Sequence, residues 1–103
     1  MRSRIMYIED KSQSLNGPAR IGRVTFSKTG RTLRYGALEF FNIGGRGGLK
    51  SNYLEVESGR EYWISGPRRD GRDRLYGQST QPIEIDADVA KEYWRDIRGR
   101  GGR

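Results

Sequence analysis

Tyr53-Leu-Glu-Val-Glu-Ser-Gly-Arg-Glu-Tyr-Trp-Ile64 is the stretch on which the reading of this fold turns. Two runs that alternate apolar and acidic or aromatic residues, Tyr53–Glu57 and Glu61–Ile64, flank a short turn built on Ser58-Gly59. Alternation with a period of two puts every second side chain on one face of a strand, and a Gly-containing turn lets the chain reverse between two such runs. The segment therefore predicts a β-hairpin.

Similar signals recur on both sides. Arg4–Ile8 reads as a first strand, followed by a loop from Glu9 to Pro18. Arg20–Phe26 alternates, with Gly22 marking a bulge. Lys28-Thr-Gly30 makes a hairpin connection to Arg31–Tyr35, and a turn at Gly36 leads into Leu38–Ile43. Weaker strand signals stand at Leu75-Tyr76 and Ile83–Ile85. A single helix is predicted over Ala87–Arg98, capped by Asp86 and stopped by Gly99, with Val89, Ala90, Tyr93, Trp94 and Ile97 on one stripe. The expected fold is mainly β: a small SH3-like or OB-like antiparallel barrel of five to six strands with one C-terminal helix. Residues 1–98 form one β-rich domain, and 99–103 form a flexible Arg/Gly tail.

Composition narrows the chemistry. The 103 residues contain no cysteine and no histidine, which removes disulfides, thiolate nucleophiles, Cys/His zinc sites and an imidazole base. No cofactor is expected, and the domain reads as a binding module, not an enzyme. The first residues lack the apolar run of a signal peptide and no stretch approaches a membrane span, so the chain reads as cytoplasmic with no membrane partner.

The net charge of +7 is uneven: residues 1–35 hold 8 basic and 2 acidic side chains. Such a field favours polyanions and acidic protein surfaces. Three basic, glycine-rich segments carry the nucleic-acid reading: Arg46 with Lys50; Arg68, Arg69, Arg72 and Arg74; and Arg98, Arg100 and Arg103 of the tail. Tyr35, Tyr53, Tyr62 and Tyr76 are candidate base-stacking rings, weighed against the need for rings in a core short of aliphatics. Gly44–Ser51 lacks the spacing of a nucleotide-binding loop, because Leu49 separates the glycine from Lys50.

Carboxylates remain as candidates for catalysis or metal binding. Asp70 and Asp73 sit among arginines that should keep them ionised, and Glu84, Asp86 and Asp88 approach metal-ligand spacing. Glu9-Asp10 and Glu55 with Glu57 read as solvated faces. The leading expectation is a nucleic-acid-binding or nucleic-acid-associated module for RNA or DNA. A protein-interaction module facing an acidic partner comes second, and a small enzyme using carboxylates third.

Met6–Asp10, Gly17–Leu33, Lys50-Ser-Asn-Tyr53 and Glu61–Gly66 together resemble a family of small uncharacterised bacterial proteins. Its members often carry the name 1-deoxy-D-xylulose-5-phosphate synthase. The resemblance covers most of the chain except the arginine-glycine tail and implies a bacterial origin. The synthase chemistry needs several domains and a Gly-Asp-Gly metal-diphosphate motif, and Arg69-Asp-Gly-Arg72 is not that motif.

Overall fold

The structure, a computed structural model, describes residues 2–12, 17–44, 51–70, 73 and 82–99. Six strands follow one another: β1 (Arg2–Asp10), β2 (Ala19–Phe26), β3 (Thr32–Tyr35), β4 (Leu38–Asn42), β5 (Tyr53–Glu55) and β6 (Glu61–Ser65). Each pairs antiparallel with its neighbour in sequence, and β1 pairs with both β2 and β6, which closes the sheet into a barrel. Closure removes most of the open edges that make small sheets prone to association. The mainly β, six-stranded antiparallel barrel with a short C-terminal helix is the architecture expected from the turn spacing.

Two turns show why the chain reverses where it does. Gly30 has φ 76° and its N–H donates to the Ser27 carbonyl at 3.0 Å, a left-handed position that suits glycine. In the β5–β6 hairpin Gly59 has φ 74°, and Glu55 holds the turn from beneath. Its carboxylate accepts from the amides of Glu57 at 3.0 Å and Ser58 at 3.1 Å and from the Ser58 hydroxyl at 2.5 Å. The solvated-face reading of Glu55 is corrected: the side chain is buried because its oxygens are consumed by the turn.

Strand alternation divides the apolar residues into two clusters. Met6, Ile8, Val24, Phe26, Leu33, Phe40, Tyr53 and Ile64 fill the barrel, with Tyr35 and Tyr62 packed against them. Ile5, Tyr7, Ala19 and Ile21 face the other way and form a second core with Val89 and Tyr93. A two-residue strand β7 (Glu84–Ile85) covers that face, pairing parallel with β2 at Arg20 and Ile21. It takes the part of β2 that β3 does not reach, since β3 pairs only with Thr25 and Phe26.

The helix is shorter than its stripe predicts. An α-helical turn α1 (Ala90–Glu92) passes into a π-helical segment Tyr93–Ile97, where the Arg98 N–H donates to the Tyr93 carbonyl at 3.0 Å. The wider turn keeps Tyr93, Trp94 and Ile97 packed against the second core. Asp86 does not cap it. Val89 occupies the cap position without a side-chain hydrogen bond, and Asp86 is engaged by the barrel instead.

A second correction concerns Glu9, whose place beside Asp10 in the sequence suggests a solvated face. It is fully buried beside an equally buried Lys11, with Nζ to Oε2 at 2.9 Å. The Tyr7 hydroxyl donates to Oε1 at 2.5 Å and the Gly17 amide to Oε2 at 3.1 Å, so a charge in the second face is fully coordinated.

Candidate functional site

The up-and-down order sends alternate connections to opposite ends of the barrel. The end where β1 begins also receives the β2–β3 turn, the end of β4 and the start of β5. Arg2 starts there, opposite Phe26, with its guanidinium 5.6 Å from the centre of that ring. Lys28, Thr29, Gly30 and Arg31 form the adjoining turn. At this end two open depressions share Thr29 and Gly30. One, of about 450 Å³, is lined by Arg2, Ser27, Lys28, Thr29 and Gly30. The other, of about 510 Å³, is lined by Thr29, Gly30, Arg31, Phe41, Asn42 and Gly44. None of these residues is acidic.

Ion pairing separates the arginines and lysines of the described residues into two groups. Arg20 meets Asp86 at 2.7 Å, Arg23 meets Glu92 at 2.6 Å, and Arg60 meets Asp10 at 3.5 Å. Arg34 lies 3.9 Å from Glu39, Arg68 lies 3.2 Å from Asp70, and Arg95 holds Asp96 at 2.8 Å. Arg4, Arg69, Lys91 and Arg98 have no carboxylate within ion-pair distance among the described residues, and neither do Arg2, Lys28 and Arg31, which stand together beside the two depressions. The positive charge of these last three is open to solvent at one end of the barrel.

Of the residues singled out in the sequence, Arg68 and Arg69 are exposed, with Arg68 paired as above. Arg98 is half-buried, and its guanidinium lies 4.9 Å from the centre of the Trp94 ring. Arg46, Lys50, Arg72, Arg74, Arg100, Arg103 and Tyr76 lie outside the described residues. The chain leaves for Arg46 and Lys50 at Gly44, which lines the second depression. Tyr53 is a member of the barrel core. Tyr62 packs edge-on to Phe40 with ring centres 4.7 Å apart. The Tyr35 hydroxyl donates to Asp86 and accepts from Arg20 Nε at 3.1 Å. Burial, with that bond to Asp86, pushes the Tyr35 phenol up to about 12. These three rings are held by the fold.

The exposed ring is Phe41, 47% accessible and the one aromatic among the large hydrophobic side chains exposed in the described residues. Sequence reasoning passed over it together with Arg2, Lys28 and Arg31. A signal was available: no acidic residue occurs between Asp10 and Glu39, a stretch holding six cations.

The carboxylates do not assemble into a site. Among the described residues no group of three or more could hold a metal ion. Asp86 is taken by Arg20 and Tyr35, and Glu84 lies 3.8 Å from Arg20. Asp73 departs from the expectation that nearby arginines fix its charge: burial pushes its carboxyl up, although its Oδ1 accepts from the Arg68 amide at 2.6 Å. A third depression, of about 370 Å³, mixes Arg4 and Arg23 with Glu92 and Asp96 and has no single-sign field. Among the described residues no helix is long and apolar enough to cross a membrane. No family model, curated protein or solved structure matches the chain.

Proposed function

We propose that this domain is a nucleic-acid-binding module whose contact surface is the barrel end formed by Arg2 and the β2–β3 turn. The observation that carries the reading is the segregation of charge. Arg20, Arg23, Arg34, Arg60, Arg68 and Arg95 each face a carboxylate, whereas Arg2, Lys28 and Arg31 stand together along adjoining depressions whose lining holds no acidic residue. Unpaired guanidinium and ammonium groups beside a hydroxyl and glycine amides make a surface suited to phosphate oxygens.

Fluorescence anisotropy with labelled single-stranded RNA, single-stranded DNA and duplex DNA across a salt series tests the proposal. Binding should weaken linearly in log–log form as phosphates displace counterions. Absence of binding to all three at low salt would overturn it.

A protein partner is the second reading, and one observation favours it. β1 pairs with β6 only over Tyr7–Asp10, so among the described residues no strand covers the other edge of Arg2–Met6. An extended acidic peptide could add there by backbone pairing. Its binding would survive loss of the charge on the β2–β3 turn, which separates it from the first reading.

A further inference from the structure

We infer that the two depressions take a single strand: a phosphate lies between Arg2, Lys28 and the Thr29 hydroxyl, and a neighbouring base stacks on Phe41. This inference rests on the nucleic-acid reading and adds which form of nucleic acid the site prefers. Phe41 lies in β4, opposite Thr32 of β3 and Leu54 of β5. Its neighbour Phe40 points into the barrel, so strand alternation turns Phe41 outward. An exposed ring at the rim of a basic depression contributes nothing to the core, yet a nucleobase could cover it.

Thr29 joins the two halves of the site. Its Oγ1 accepts from the Arg31 amide at 3.4 Å, which leaves the hydroxyl proton free to donate to a phosphate oxygen. Because both depressions share Thr29 and Gly30, a strand that places a phosphate in the first has a continuous path to the ring in the second. Gly30 keeps that path open: a Cβ built there meets nothing within 4 Å. Base faces are available for such stacking only in an unpaired strand, since in a duplex each is covered by its neighbours. The combination of open cations and one exposed ring therefore selects single strands over duplexes.

The test compares native protein with Phe41→Ala and Phe41→Tyr on a labelled ten-nucleotide oligo(dT) and on a duplex of equal length. Phe41→Ala should weaken oligo(dT) binding by about tenfold or more while leaving duplex binding within about twofold, and Phe41→Tyr should retain both. Thermal melting of each variant checks that the fold is kept, which an exposed side chain allows. Equal oligo(dT) affinity in Phe41→Ala and native protein would overturn the stacking inference, as would an equal loss on both ligands. Failure of the native protein to bind either oligonucleotide at low salt would be the separate failure of the underlying reading.

Discussion

Gly22 shows how a single residue fixes the relation between the barrel and what covers it. A Cβ placed there would stand 2.5 Å from Asp86 Oδ2 and 2.5 Å from the Tyr35 ring, closer than real atoms approach. Gly22→Ala should therefore destabilise by about 1–3 kcal/mol through overpacking, read as a lowered urea midpoint at unchanged slope. The sequence suggests a bulge at this glycine, but β1 and β2 pair one to one through it, with Met6 opposite Gly22. Its contact with Asp86 is announced by no local pattern, because Asp86 lies far along the chain. Glu55 carries a pH signature at the same scale. The Ser58 hydroxyl, then the Glu57 and Ser58 amides, hold its carboxyl below the ordinary glutamate range. With the folded value below the unfolded one, its stabilisation is complete above the unfolded value and is lost as pH falls through the folded one. The stability difference between native protein and Glu55→Gln should accordingly shrink as urea titrations move from pH 7 to pH 3.

At the scale of elements, β7 and the segment after it are tied to the barrel by a small number of contacts. The Asp86 amide donates to the Ile21 carbonyl at 2.9 Å, and its carboxylate receives Arg20 Nε at 2.8 Å together with the Tyr35 hydroxyl. Asp86→Ala removes the side-chain bonds and should cost about 1–3 kcal/mol, with Arg20 half-exposed to solvent lowering the figure. Native-state hydrogen exchange should show faster amides in Glu84–Ile85 and Ala90–Ile97 while β1 to β6 keep their protection. Uniform acceleration across both regions would show the two cores to be one cooperative unit. The strands themselves were legible because their signals are local: alternation in Tyr53–Glu57 and Glu61–Ile64, and turn glycines at Gly30 and Gly59. The helix length was not, because its stripe of Val89, Ala90, Tyr93, Trp94 and Ile97 specifies a face and not the pitch that packs it.

For the whole molecule, the sequence declares an excess of positive charge and conceals where that charge is free. Glycine-rich runs drew the reading to Arg68, Arg69 and Arg98, whose described neighbours include Asp70 and the Trp94 ring. Pairings such as Arg20 with Asp86 and Arg23 with Glu92 span most of the chain, so only the closed barrel shows which cations are left over. Lys28-Thr-Gly30 was legible as a turn, yet its place beside Arg2 follows from β1 pairing with β2 across the whole of that hairpin. The same topology that brings Arg2 to the turn brings Phe41, Asn42 and Gly44 to that end.

The most direct measurement of the central claim is the salt dependence of single-strand binding in two variants that lose equal charge. One carries Lys28→Gln and Arg31→Gln at the barrel end, and the other carries Arg34→Gln and Arg60→Gln, where each cation already faces a carboxylate. If the barrel end holds the phosphates, the first variant should bind at least tenfold more weakly at low salt, and its log–log slope should flatten by about 1.4, two phosphates' worth. The second should stay within about twofold of the native protein. Equal losses in both variants would mean that net charge alone attracts the strand, and would contradict a defined interface at Arg2, Lys28 and Arg31.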